Sequence, residues 1–113
     1  MSKIIDIATV IDSPSALTQE QGEKIYLIIS DSIQHKEDVT LDFENVESMI
    51  SPFLNTAIGK LYGLFAAETI RTYLHFKNFP QSKQSTLKIV VENAKKYYSN
   101  KEKYSSTVKD VIG

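Results

Sequence analysis

The chain contains no cysteine and no tryptophan, and only four glycines and three prolines among its 113 residues. Without cysteine there is no disulfide, no thiolate metal ligand and no cysteine nucleophile, and nothing points to secretion. The scarce glycines form no phosphate-cradling loop, and there is no GxSxG. The two histidines, His35 and His75, are far apart and have no metal-ligand spacing around them. No window supplies the roughly 18 apolar residues of a membrane span. The opening MSKIIDIATV carries Asp6 inside its apolar run, unlike a secretory leader. These absences set the expectation of a non-enzymatic, cytoplasmic protein with no metal and no cofactor.

Apolar residues make up 42% and charged residues 24%, an ordinary globular balance, with phenylalanine and tyrosine as the large core residues. The length suits a single domain, expected over residues 1–100, followed by a flexible tail at 101–113. The net charge of −1 conceals a division. Residues 1–50 carry ten acids against Lys3, Lys24 and Lys36, whereas residues 51–113 carry four acids against ten bases. Such halves either attract each other in the fold or offer faces of opposite sign to partners.

Lys3 to Ile11 (KIIDIATVI) reads as a strand, apolar on both faces and closed by Asp12-Ser13-Pro14. Ser13-Pro14 and Thr18 with Gln21 are overlapping helix starts, the second a capping box. Leu17, Gln21, Ile25, Ile28, Ile29 and Ile33 then mark one face of a helix ending near His35. Gly22 only weakens that helix. Val39 to Phe43 alternates as a second strand, with Val39, Leu41 and Phe43 inward. Glu44 to Ile50 is a polar crossing anchored by Val46 and by Met49 or Ile50.

Ser51 is expected as the N-cap of the next helix, with Pro52 at its first position. Leu54, Ala57, Ile58, Leu61 and Phe65 form that helix's buried stripe. Residues 66–71 are either one more helical turn or a loop. Tyr73 to Phe79 is the third strand, with Leu74 and Phe76 inward. A last helix carries Leu87, Val90, Val91, Ala94 and Tyr98, to about Asn100. The order β-α-β-α-β-α predicts an α/β fold with a small, mainly parallel sheet.

The run VTLDFENVESMISPFLNTAIGKLYG, Val39 to Gly63, resembles the STAS-like domain family, small relatives of the STAS domains of anti-sigma factor antagonists and sulfate transporters. The strand end Leu41-Asp42-Phe43, the anchor Val46 and the turn Ser51-Pro52-Phe53-Leu54 carry the resemblance. It implies helices predominantly on one face of the sheet, and a bacterial or phage regulatory module that binds a protein, typically a kinase-like ATP-binding partner. In the STAS antagonists a serine at this turn is phosphorylated. Here Pro52 stands at the matching position, with Ser51 beside it.

Several residues are candidates for function, each with a plainer reading. Ser51 is a candidate phosphorylation or anion site, because a helix start favours phosphate, or simply a cap. Ser51, Phe53, Asn55 and Tyr62 are the expected partner-binding residues. Phe53 and Tyr62 lie off the stripe, either as exposed anchors or as part of a wide buried face. Asp42, Tyr73, His75 and Lys77 are expected together on the open sheet face, as an acid-base group or as surface ion pairs. The alternative function is nucleic-acid or nucleotide binding. From Arg71 to Lys109 nine bases face only Glu92 and Glu102, with Tyr97, Tyr98 and Tyr104 interleaved.

Overall fold

A computed structural model describes residues 2–112, with side chains described for residues 2–99. β1 (Ser2–Asp6), β3 (Asp38–Asp42) and β5 (Leu74–Lys77) form a parallel sheet in the order β1-β3-β5. Their register pairs Ile5 with Leu41, and Leu41 with Phe76. The alternation expected of β3 is present: Val39, Leu41 and Phe43 are buried. On the opposite face Ile4 is 65% exposed, and His75, paired with Thr40, is also exposed. Helices therefore cover one face and leave the other largely open.

The first expected strand is too long. Only Ser2 to Asp6 is extended, and Ile7 to Ile11 forms the short helix α1. Asp6 causes the switch by acting as N-cap, its carboxylate accepting from the Thr9 N–H. Asp12 ends the helix in the left-handed region, φ 56°, which aspartate tolerates better than most residues. Ile7 and Ile11 are both buried, because i and i+4 share a helix face as readily as odd positions share a strand face.

The capping box predicted for the long helix is present. Thr18 caps α2 (Gln19–Gln34), accepting from the Gln21 N–H at 3.1 Å, while Gln21 accepts from the Thr18 N–H at 3.0 Å. Ser13 does not open this helix. Its hydroxyl closes the Ser13–Ser15 turn, bonding the Ser15 N–H and carbonyl. Beyond the turn lies a two-residue strand, β2 (Ser15–Ala16), which pairs in parallel with β4 (Ser48–Met49) in the crossing. This second small sheet carries no sequence signal.

α3 (Ser51–Ala57) is shorter than the stripe suggests and passes into a 3-10 helix, Gly59–Gly63. The stripe continues through that change, since Leu54, Ala57, Ile58 and Leu61 are all buried. α4 (Ala67–Tyr73) resolves the ambiguous segment as helix and takes Tyr73 away from the third strand. β5 is thus shorter than expected, and Phe76 is 39% exposed beside Phe43 and Phe79, with which it makes a ring cluster. α5 runs from Gln84 to Ile112. The tail expected at 101–113, and Tyr104 with it, lies outside the residues whose side chains are described.

α2 lies against α3 at Gly22. A Cβ there would stand 2.7 Å from the Phe53 carbonyl oxygen and 2.9 Å from the Thr56 Cβ. That approach brings Ile25 and Ile29 into the same core as Phe53, Leu54 and Ala57. Gly22→Ala gains about 1 kcal/mol of helix propensity and loses more through the forced separation of two backbones. We expect a net destabilisation of roughly 1–2 kcal/mol, read from the midpoint of urea unfolding. A variant as stable as the parent contradicts the close approach.

Candidate functional site

Ligands of parallel α/β sheets bind beyond the carboxyl ends of the strands, where the connections to the helices converge. Here those ends are Asp6, Asp42 and Lys77, which are register partners in sequence across the three strands. The turns beyond them are held by side chains. Asp42 accepts from the Glu44 N–H and from the Asn78 amide, both at 3.0 Å. Asn78 reaches it from a left-handed backbone, φ 55°, a conformation asparagine adopts more easily than most residues. Asp6 accepts from the Asn45 amide at 3.1 Å. The Asn78 hydrogen bond and the Glu44 N–H hold the Asp42 carboxyl below its usual range against an opposing desolvation, with a lesser contribution from Lys77.

The four residues expected together on the open sheet face are only partly assembled. Asp42 and Lys77 are neighbours across β3 and β5. His75 pairs instead with Asp38, Nε2 to Oδ1 at 3.0 Å. Tyr73 belongs to α4 and ends it. Asp42 therefore braces a turn and has no imidazole partner, and the acid-base grouping does not form.

The crossing from β3 to α3 is positioned by β2. The Pro14 carbonyl accepts from the Glu47 N–H at 2.7 Å, and the Ala16 carbonyl accepts from the Ile50 N–H at 3.2 Å. The Ser48 N–H adds a third tie to the Pro14 carbonyl at 3.3 Å, and Gln21 of α2 in turn holds β2 by donating its side-chain amide to the Ser15 carbonyl at 3.1 Å. Val46 and Met49 are buried beneath the crossing, so Met49 is the second anchor. Ile50 is 42% exposed and stands at the N-cap of α3.

Ser51 is the first residue of α3, not its cap, and its hydroxyl makes no capping bond. The extended backbone at Ile50, fixed by Ala16, occupies the cap position, which displaces both Ser51 and Pro52 by one place. Ser51 and Asn55 are exposed one turn apart and share a face. Phe53 is 1% exposed and belongs to the core, the second of the two readings open to it. Tyr62 is half-buried on the 3-10 helix, in a groove against α4 and α5 rather than beside Ser51. Burial pushes its phenol pKa up, and Arg71 pulls it partly back.

A cluster that the sequence did not suggest sits between α2 and the 3-10 helix. Lys60 donates to Glu23 at 2.6 Å and lies 4.5 Å from the centre of the Tyr26 ring. Glu23 holds the Lys60 pKa up. Both groups are substantially exposed, so the pair ties two elements together with little net energy. In the basic C-terminal half, Lys88, Lys95 and Lys96 are exposed, while Tyr98 packs over Gly63. Among the described residues no group of three acids, histidines or cysteines forms a metal site, and no helix is long and apolar enough to cross a membrane.

A family model described as a STAS-like domain of unknown function (DUF4325) matches residues 21–84, more than half of the chain. No curated protein and no solved structure matches it.

Two measurements test these placements. Ser51→Ala should change stability by less than about 0.5 kcal/mol, whereas Thr18→Ala, which removes a true cap, should cost about 1 kcal/mol. Equal losses would restore Ser51 as a cap. The lowered pKa of Asp42 means that its contribution is fully present above the unfolded carboxyl value of about 3.9 and is lost as pH falls through its folded value. Asp42→Asn should therefore melt below the parent at neutral pH and converge with it in acid. Parallel melting curves at every pH would remove the brace.

Proposed function

The chain belongs to the family of STAS-like domains described as DUF4325, and from that membership we propose that it is a regulatory protein-interaction module with no catalysis of its own. The partner is held by the crossing and by the outer edge of α3, through Ile50, Ser51 and Asn55. The observation that carries this reading is the pinning of Ile50. Its N–H is fixed to the Ala16 carbonyl, yet its side chain stays substantially exposed next to two polar residues. An apolar residue on a rigid backbone with a polar rim is suited to a binding anchor, because little conformational entropy is lost when it docks.

Phe53 drops out of the expected binding set because it is buried, and Tyr62 because it lies elsewhere. The resemblance to STAS antagonists points to a kinase-like ATP-binding protein as the partner. Ser51, exposed and without a capping duty, is the hydroxyl on this edge that such a partner would modify. Phosphate there would add charge beside Ile50 and weaken an apolar contact.

Affinity capture from the native host, with mass spectrometry, tests the proposal. Ile50→Arg and Asn55→Arg should each remove a specific protein that the parent chain retains, while circular dichroism stays unchanged. Retention of the same protein by both folded variants would place the interface elsewhere. Incubation with the captured partner and ATP should add one phosphate at Ser51. If it adds none, the covalent step is excluded and the contact itself is left standing.

A further inference from the structure

A groove of about 360 Å³ opens between the 3-10 helix, α4, β5 and α5. Its walls are apolar, with Ile70 and Leu74 buried and Leu87 and Val91 half-buried. Two cations lie along it, Arg71 from the last turn of α4 and Lys95 from α5, and no acid lines it. A second hollow of about 320 Å³ adjoins it, sharing Tyr62, Ala67 and Lys95 and again lined by no acid. Neither Arg71 nor Lys95 has an ion-pair partner among the described residues, although the chain as a whole carries net negative charge. The Tyr62 hydroxyl has no hydrogen-bond partner among them either, and the phenol lies close enough to Arg71 to feel its charge.

These features select one class of ligand. The volume is that of a small-molecule site, where apolar walls supply affinity and a few polar groups fix orientation. A hydrocarbon chain matches the walls. A single carboxylate matches the two cations that line the groove, since the guanidinium fork binds it through two parallel bonds and an ammonium adds a point charge. A polyphosphate would leave the apolar walls uncovered, and a neutral lipid would leave both cations unused. We propose that this groove binds a medium-chain carboxylate, with its tail along Leu74, Leu87 and Val91 and its head between Arg71 and Lys95. The proposal is independent of the contact at Ile50. The α5 residues of the groove, Leu87, Val91 and Lys95, lie outside the stretch that the family model matches.

The test is a nitrogen-15 NMR titration of the full chain with decanoate below its micelle concentration, alongside decanol and decylammonium. Decanoate should saturate and shift the amides of Tyr62, Ala67, Ile70, Arg71 and Val91, with decylammonium at least about tenfold weaker. Arg71→Gln and Lys95→Gln, both at exposed positions, should fold and should each weaken decanoate by about tenfold. Ala67→Leu should reduce binding by filling the groove where its two hollows meet. Decanol binding as tightly as decanoate, shifts centred away from the groove, or no saturable binding would overturn the proposal. So would a glutamate-rich helical peptide that binds the groove when decanoate does not.

Discussion

The fold depends on the contact between α2 and α3 at Gly22. No other residue type allows the Phe53 carbonyl to come so near the α2 backbone. From that approach follow the burial of Phe53 and Leu54 against Ile25 and Ile29, and the placing of α3 against α2. It also places Glu23 and Tyr26 of α2 beside Lys60, in the 3-10 helix that follows α3. A separation larger by a methyl group would open the middle of the core, and interiors packed at crystal-like density do not absorb such gaps cheaply. The glycine is a helix-weakening residue locally and a packing requirement globally, and the second effect is the larger.

The parallel sheet and the polar turns at its carboxyl ends divide the work between them. The inward rows, Val39 with Leu74 and Ile5 with Leu41, hold the strands to the helices. The carboxylates of Asp6 and Asp42 lie at the strand ends and are used on backbone amides and asparagine side chains. Carboxylates satisfied in this way brace the turns that follow the strands. Beyond these turns the crossing leaves the apolar Ile50 exposed at the start of a short helix.

Much of this was legible in the residues themselves. The Thr18–Gln21 box, the alternation from Val39 to Phe43 and the stripe through Leu61 have local signatures, and all appear as expected. The resemblance carried by Val39 to Gly63 agrees with the family match. The misreadings have two causes, local helix formation at Asp6 and in α4 that the strand pattern hid, and a tertiary contact at Ile50. Asp6 turned an apolar strand into a helix because its carboxylate found the Thr9 N–H. Ser51 lost the cap to Ile50 because Ala16, distant in sequence, fixed the backbone there. Tyr73 left its strand because α4 continued through it. Gly22 was read by propensity alone, since a single sequence does not show which glycine another backbone approaches. The groove had no signature at all, its cations and walls coming from three separate stretches.

The pairing of β2 with β4 has a kinetic consequence. It consists of two residues on each strand, Ser15 with Ser48 and Ala16 with Met49, joined through a connection that contains the whole of α2 and β3. Closing so long a loop for so few bonds is entropically unfavourable until the intervening helix and strand are in place. The little sheet thus forms after the helix and strand it encloses, and its few bonds open locally before those of the larger sheet. Amides at Ile50 and Glu47 will exchange with solvent through this local opening, well ahead of the three-stranded sheet beneath. The edge at Ile50 is governed by a latch with its own clock, separate from the slower one of global unfolding.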